Sequence, residues 1–180
     1  MKTITVPAKE QVSTESQAIF DQIQKRMGKV PNLYATIGYS AHALKGMLEF
    51  EGTLTTGSTF SAREREAVNL IVSQVNLCDY CLAAHTALAQ MKGFTKEDTI
   101  AIRKGEVSDA RLSPIILLAQ SITQNKGKAD KSILNRFFEA GYHEDALMEL
   151  IGLITVRIFT NYVYAATEVP IDFPAAEPLN

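Results

Sequence analysis

The sequence contains few or none of several features that commonly indicate a fold or a function. Only two of its 180 residues are cysteine, lysine and arginine (18) do not outnumber aspartate and glutamate (20), and no run of like charge occurs. A formal net charge of -2 and a pI near 5.9 leave no basic surface of the kind that nucleic acids need. There is also no convincing internal repeat, no low-complexity linker and no alternating apolar–polar run long enough for a strand. These absences argue against nucleic-acid binding, repeat architectures and β-folds.

The chain also lacks an obvious export or membrane segment. Its first residues, Met1 to Pro7, do not have the apolar centre of a signal peptide, and the longest apolar stretches are interrupted by Gln120 or Arg157. We therefore expect a cytoplasmic protein without a membrane partner. In that reducing compartment, a close pair of cysteines is more typical of catalysis or metal binding than of a structural disulfide.

What is present predicts one all-α domain spanning residues 1–180, since this length suits one well-buried core. Hydrophobic residues make up 46% and charged residues 21%, as in folded globular proteins. Helical periodicity, caps and glycines recur along the chain. The predicted helices run from a Thr14–Gln17 capping box to Gly28, over 33–37, over 41–55, from a Ser61–Glu64 capping box to Val75, from Cys78 to Gly93, from Thr95 to Gly105, over 115–123 after Pro114, from Asp130 or Lys131 to Gly141, and from Glu144 to about Ala166, before an extended tail over 171–180.

The two cysteines lie close together, in the segment Cys78-Asp79-Tyr80-Cys81, and His85 follows four residues later. On a helix, residues three and four apart are neighbours, so both thiols and the imidazole would share one face. Such an arrangement brings a dithiol next to a base. The pair can close a small disulfide, and the histidine can hold or move a proton.

Thiol chemistry explains why these residue types belong together. A thiol reacts as its thiolate, and an ordinary cysteine is mostly protonated at neutral pH. A helix N-terminus, a histidine and a carboxylate can each favour the thiolate, which makes Cys78, His85 and the upstream Glu66 candidates for the site. By position alone, the helix dipole predicts that Cys78 is the more acidic thiol. A thiolate that attacks a peroxide becomes a sulfenic acid, which a second thiol converts to a disulfide before further oxidation.

Other interpretations of the same residues remain open. The cysteines can be small buried side chains, and Cys78, Cys81 and His85 are three plausible zinc ligands with water as the fourth. Glu66 taken alone is typical of a solvated helix residue, and Tyr80 is either a packed aromatic or a hydroxyl relay. The remaining histidines, His42 and His143, suit surface or capping positions, and Asn161, Tyr162 and Tyr164 suit packing of the last helix.

The spacing Glu66-x11-Cys78-x2-Cys81-x3-His85 resembles the signature of the carboxymuconolactone decarboxylase-like superfamily, and specifically its alkylhydroperoxidase D-like branch of peroxidase-related proteins. Stretches 28–34, 159–162 and 167–174 resemble the flanks of that branch, so the likeness extends over most of the chain. The cysteine–histidine motif with its upstream glutamate is specific, whereas the flanks only support it.

The resemblance implies a helical bundle that assembles into trimers or hexamers, with an active site near subunit contacts. It also implies cofactor-free reduction of a hydroperoxide by a dithiol, which an external dithiol/disulfide reductant regenerates. In that family the second cysteine, here Cys81, meets the peroxide and the first, here Cys78, resolves it, while Glu66 and His85 correspond to a proton relay. Tyr80 stands where a well-known member has a second histidine, which predicts an altered relay.

Three functions compete on this basis. The first is a thiol-dependent hydroperoxide reductase with catalytic residues Cys78, Cys81, His85, Glu66 and Tyr80. The second is a lyase or hydrolase acting on a lactone or β-keto acid, for which the dithiol would be surplus. The third is a non-enzymatic redox-sensing or zinc-binding oligomeric module.

Overall fold

In the computed structural model, residues 3–179 are described, and they form helices without any strand. Met1, Lys2 and Asn180, at the ends of the predicted N-terminal segment and tail, lie outside the described residues. A short 3-10 turn over Lys9–Gln11 precedes nine α-helices in this part of the chain. They are α1 Thr14–Met27, α2 Asn32–Ile37, α3 Ala41–Thr55, α4 Ala62–Val75, α5 Asp79–Met91, α6 Lys96–Lys104, α7 Leu112–Gln124, α8 Lys131–Glu139 and α9 Glu144–Thr167. The prediction of an all-α fold is confirmed.

Local chemistry explains most of the helix boundaries. The Ser61–Glu64 capping box is present, with the Ser61 hydroxyl accepting from the Glu64 N–H at 3.2 Å and the Glu64 carboxylate accepting from the Ser61 N–H at 2.7 Å. Thr95 and Asp130 cap α6 and α8 as the sequence predicted. Gly28 ends α1 in the left-handed conformation at φ 78°, which glycine adopts without steric cost.

Two predicted starts were wrong. Helix α1 is capped by Ser13, whose hydroxyl accepts from the Ser16 N–H at 3.2 Å, so the Thr14–Gln17 box does not form. Helix α7 begins at Leu112 rather than after Ser113, because the Asp109 carboxylate accepts the N–H groups of Arg111 and Leu112 at 2.9 Å each. Pro114 is then the third helical residue, where a missing N–H still costs no intrahelical hydrogen bond.

Helix α4 is central to the packing: α5, α6, α7 and α9 all lie against it. One hydrophobic cluster joins α4, α7, α8 and α9. A second cluster joins α1, α2 and α3 to the start of α5, and it contains both cysteines, Tyr80 and Val169. The thiols therefore lie within a packed core rather than on a loop.

Helix α9 spans 24 residues with a mean hydropathy of 1.4, so by length and composition it could cross a membrane, which corrects the expectation that Arg157 interrupts the apolar stretch too early. Core helices meet the same criterion. Here Arg157 is buried in mid-helix and ion-paired with Glu51 of α3 at 3.2 Å. Gly152 brings α9 close to α3, since a Cβ there would approach Leu54 within 2.9 Å. Both contacts are those of a helix packed inside a protein.

Candidate active site

The turn between α4 and α5 places the cysteines. The Cys78 N–H donates to the Ser73 carbonyl at 3.0 Å, and Leu77 takes a left-handed conformation at φ 53° to make the turn. Cys78 is then the N-cap of α5, and its Sγ accepts the Cys81 N–H at 3.3 Å. Cys78, Cys81 and His85 are all buried, at 1%, 2% and 7% exposure. The predicted helical face is therefore present.

Glu66 of α4 lies against this face and contacts His85. The distance between Glu66 Oε2 and His85 Nδ1 is 2.7 Å, and Asn69 Nδ2 donates to the same oxygen at 3.5 Å. Burial alone would raise the pKa of the Glu66 carboxyl, but the charge and hydrogen bond of His85 hold it below its usual range. Glu66 is thus a half-buried, ionised partner of His85 and not a solvated helix residue. This bond fixes the ring and turns Nε2 away from Glu66.

The two thiols differ in acidity, and in the opposite order from the dipole prediction. The Cys78 thiol donates a hydrogen bond to the sulfur of Cys81, and this bond, helped by the charges of Arg157 and His85 against the effect of burial, lowers the pKa of Cys81 to about 6. The same bond and burial raise the pKa of Cys78. The prediction that Cys78 is more acidic was wrong, because the dipole acts on both residues whereas the thiol–thiol hydrogen bond favours only one thiolate.

Tyr80 is held by its hydroxyl as well as by its ring. The hydroxyl donates to Asp172 Oδ1 and accepts the Leu33 N–H at 3.1 Å. The ring packs edge-on against Phe173, with centroids 5.7 Å apart, and against Tyr164 at 5.8 Å. Burial and the Asp172 carboxylate raise the pKa of Tyr80. The Tyr80 hydroxyl therefore donates its proton to the C-terminal tail. This bond favours a structural role for Tyr80 over a role in a proton relay.

The tail itself is tied across the site. The Lys29 ammonium contacts the Asp172 carboxylate at 3.0 Å and its backbone carbonyl at 2.6 Å, and it lies 4.0 Å from the centre of the Phe173 ring. Asn32 Nδ2 donates to the Pro170 carbonyl at 3.0 Å. These bonds hold Phe173 at the wall of a small cavity, a contact between chain ends that the sequence did not predict.

The cavity contains the reactive groups. It measures about 50 Å³, and its wall includes Cys81, His85, Tyr34, Arg157 and, among apolar side chains, Phe173. One buried water needs on the order of 10–15 Å³ of such a volume. The cavity therefore has room for a few water-sized molecules or for one end of a larger molecule. Tyr34 is half-buried, and burial and the Glu51 carboxylate raise its pKa, so its hydroxyl stays protonated.

Sequence reasoning missed two buried polar residues of α9. Arg157, 4% exposed, was noted only as an interruption of an apolar run, and it lines the cavity. Asn161, 1% exposed and attributed to packing, donates to Ser73 Oγ at 3.3 Å, accepts from Asn76 Nδ2 at 2.9 Å and helps to lower the pKa of Cys81. A charged or amide side chain on the buried face of an apolar helix is unusual, and that pattern was the available signal.

The remaining candidates stand apart from this centre. His42 and His143 are exposed, as predicted, and His143 precedes α9 without a side-chain cap. Within residues 3–179, no group of three or more His, Cys, Asp or Glu side chains is arranged to hold a metal ion. The geometry thus adds nothing to the zinc hypothesis.

The comparison with known proteins agrees with the motif. Residues 41–114, which include Glu66 and the whole Cys78–His85 segment, match the model of the carboxymuconolactone decarboxylase family. This match confirms the resemblance drawn from the sequence. No protein of curated function matches the chain.

Solved structures share the fold at low identity. A peroxidase-related protein from Silicibacter sp. TM1040 superimposes with a TM-score of 0.79 at 22% identity, covering 97% of this chain and 93% of that one. An alkylhydroperoxidase AhpD core protein from Ralstonia eutropha JMP134 gives 0.79 at 15% identity, covering 92% and 91%. The debrominase Bmp8, in complex with 2,3,4-tribromopyrrole, gives 0.80 at 16% identity, covering 96% and 92%. The fold is that of AhpD-like proteins.

Proposed function

We propose that this carboxymuconolactone decarboxylase-like protein is a cofactor-free hydroperoxide reductase. The observation that carries the proposal is the cluster of Cys78, Cys81, His85 and the half-buried Glu66 beside one small cavity, which Cys81 and His85 line, with the pKa of Cys81 lowered to about 6. At neutral pH such a thiol is largely thiolate, the reactive form. A low-pKa cysteine beside a second thiol is the arrangement that peroxide reduction with rapid disulfide closure requires.

In the first step, the Cys81 thiolate attacks the terminal oxygen of the hydroperoxide. An S–O bond forms and the O–O bond breaks, so the sulfur is oxidised to a sulfenic acid and the hydroperoxide is reduced to an alkoxide. His85, protonated by the departing thiol hydrogen and held by Glu66, returns that proton to the alkoxide and releases an alcohol.

In the second step, Cys78 closes the disulfide. Its sulfur attacks the Cys81 sulfenic sulfur, an S–S bond forms, and the S–O bond breaks with release of water that carries the Cys78 thiol proton. The N-cap position of Cys78 and its hydrogen bond with Cys81 keep the two sulfurs adjacent. An external dithiol then reduces the disulfide and completes the cycle, which suits a reducing cytoplasm.

The roles of the residues follow from these steps. Cys81 is the peroxide-attacking cysteine, Cys78 the resolving cysteine, and Glu66 and His85 the proton relay. Tyr80 contributes less, since its proton is donated to Asp172. A lyase or hydrolase remains the alternative, although the dithiol would have no role in such a reaction.

The test is consumption of hydrogen peroxide and of an alkyl hydroperoxide with dithiothreitol as reductant. We expect turnover by the native protein, no reaction with Cys81→Ser, and, with Cys78→Ser reduced beforehand and then freed of dithiothreitol, one equivalent of peroxide consumed per chain. Consumption no faster than that of the double Cys78→Ser, Cys81→Ser variant would contradict the proposal. Because the debrominase shares the fold, 2,3,4-tribromopyrrole belongs in the same assay: bromide release without peroxide consumption would assign a reductive dehalogenase instead.

A further inference from the structure

Arg157 is a buried cation at the reaction cavity. It lies in the middle of α9 at 4% exposure, and it lines the cavity together with Cys81 and His85. Arginine is almost never fully buried without a compensating partner, because desolvating its charge is costly. The relevant question is which of its hydrogen-bonding groups the protein satisfies.

The protein uses three of the five guanidinium N–H donors. Nε donates to Asn69 Oδ1 at 3.0 Å, Nη1 to Thr160 Oγ1 at 3.1 Å and Nη2 to Glu51 Oε1 at 3.2 Å. A guanidinium carries one N–H on Nε and two on each Nη. One donor on each Nη therefore has no acceptor among residues 3–179, although the residue is buried at a cavity wall.

The charge of Arg157 is only partly compensated. Asn69 and Thr160 are neutral, and the single carboxylate in contact, that of Glu51, has 27% of its side chain exposed to solvent, which weakens its field. The guanidinium cannot deprotonate in a protein. A fixed positive charge thus persists next to the cavity at any working pH.

We propose that Arg157 belongs to the reaction site, where its positive charge favours the Cys81 thiolate and its two unused N–H groups hydrogen-bond the bound hydroperoxide. This inference rests on the proposed function. As the O–O bond breaks, negative charge builds up on the leaving oxygen, and donors already in place stabilise that charge without reorganisation. His85 supplies the proton, so Arg157 acts by charge and hydrogen bonding alone.

Several other groups surround Cys81 and bear on its titration. They are Cys78 at the cap of α5, Tyr80 and His85 of α5, Tyr34 of α2, Glu51 of α3, Glu66 of α4, Tyr164 of α9 and Asp172 of the tail. Among them, only His85 can add positive charge. The charge of Arg157 lowers the pKa of Cys81 more than the charge of His85 does, which agrees with the geometry.

The first test measures the thiolate without any peroxide. Ultraviolet absorbance of the thiolate is titrated against pH in a Cys78→Ser background, so that Cys81 is the single thiol. Arg157→Met should raise the midpoint by on the order of one pH unit, and Glu51→Gln should lower it, because the guanidinium then acts uncompensated. Arg103→Met is the matched control: Arg103 is also buried and bonded to Gln74 and Glu177, but it does not line the cavity.

Opposite shifts for Arg157→Met and Glu51→Gln, with Arg103→Met unchanged, support the charge effect. Equal midpoints for Arg157→Met and Arg103→Met would overturn it. If Arg157→Met does not fold, the titration of Glu51→Gln decides the matter. A titration midpoint of Cys81 that does not fall in Glu51→Gln would then overturn the charge effect.

The second test concerns the hydrogen bonds. The single-turnover rate with an alkyl hydroperoxide is divided by the thiolate fraction and compared with the rate toward iodoacetamide, which has no oxygen leaving group. Arg157→Lys, which keeps the charge but not the fork of donors, should lose roughly 10²-fold with the peroxide and little with iodoacetamide. Equal losses with both reagents overturn the hydrogen-bonding role. If the native protein consumes no peroxide, the proposed function has failed, and the titration still decides the charge effect.

Discussion

Glu66 and His85, the proposed proton relay, are joined side chain to side chain across two helices. A bond of 2.7 Å between Glu66 Oε2 and His85 Nδ1 fixes the imidazole and leaves Nε2 for the proposed exchange of a proton. Tyr80, two residues past the α5 cap Cys78, is fixed instead by the bonds of its hydroxyl to Asp172 and Leu33. His85 and Tyr80 belong to the same motif but are therefore held by different partners.

The relay predicts unequal effects of mutation. Glu66→Gln and His85→Ala should each lower peroxidase turnover by on the order of 10²-fold, the scale of general acid–base groups. Tyr80→Phe should lower it less, and should lower the free energy of unfolding by about 1–3 kcal/mol, because the buried Leu33 N–H loses its acceptor. Turnover and urea denaturation of the three variants measure both effects. If His85→Ala leaves turnover and the thiolate titration unchanged, the histidine is structural.

The acidity of Cys81 predicts the pH dependence of the reaction. Since the pKa of Cys81 is lowered to about 6, its thiolate fraction rises with pH through that value, whereas an ordinary cysteine would titrate near pH 8.5. The rate of sulfenic acid formation should therefore increase between about pH 5 and 7 and then level off. Stopped-flow measurement of the single-turnover rate in the native protein, which keeps the Cys78 thiol, checks this. A rise that continues past about pH 8 would contradict it.

How far individual residues could be predicted depended on the kind of interaction. The spacing of Glu66, Cys78, Cys81 and His85 was enough to predict that these side chains lie together, because neighbours on one helix and across a short turn are set locally. The order of thiol acidity was not accessible, since it depends on which sulfur donates a hydrogen bond and on Arg157, 76 residues away in sequence. The Tyr80–Asp172 bond likewise joins distant segments.

At the scale of helices, caps decide where each element begins. Helix α7 shows this most clearly, because Asp109, three positions before its first residue, accepts the backbone N–H groups of Arg111 and Leu112, whereas the sequence pattern placed the start of the helix at Ser113 and Pro114. Most other boundaries were predictable, since Ser, Thr and Asp caps and left-handed glycines act within a few residues. Asp109 was missed because a carboxylate can cap from outside the expected position.

This cap gives a test at the element scale. Asp109→Ala should lower the free energy of unfolding by about 1 kcal/mol, whereas Asp109→Asn, which keeps the accepting oxygen, should lower it less. Ser113→Ala is the matched control and should change little, as Ser113 makes no capping bond in the described structure. Urea denaturation compares the three variants. Equal stability of Asp109→Ala and the native protein would show that the carboxylate does not hold α7.

At the scale of the whole molecule, α9 has two different faces. One carries Arg157 and Asn161 to the site, and the other, with Phe50 of α3, forms an exposed apolar groove that includes Phe159. Met148 and Tyr162 extend this apolar surface along α9. Exposed patches of this kind are typical of interfaces.

We therefore predict a symmetric oligomer, a trimer or hexamer, with this α3–α9 surface covered by a neighbouring copy. Light scattering should give a mass that is a multiple of 19.8 kDa. Phe159→Glu should shift the protein toward smaller species, while Met91→Glu, an exposed apolar residue on α5, serves as the control. A native protein that is monomeric at micromolar concentration would refute the prediction.

The overall architecture was more predictable than its internal arrangement. Helical periodicity and the Cys–His motif together indicated an all-α AhpD-like fold, because both are properties of local sequence. The single domain over residues 1–180 stays a prediction. The packing of the tail over the cavity was inaccessible, since Lys29–Asp172 and Asn32–Pro170 contacts form only once the ends of the chain meet.

The central claim is the dithiol cycle, and mass spectrometry of the protein before and after one equivalent of hydroperoxide tests it most directly. We predict a loss of two hydrogens per chain, a peptide linking Cys78 to Cys81, and full recovery of the original mass with dithiothreitol. Cys78→Ser should instead gain one oxygen or more on Cys81. If the native protein shows only sulfinic or sulfonic acid, or a disulfide between chains, the two thiols do not operate as a resolving pair and the account is wrong.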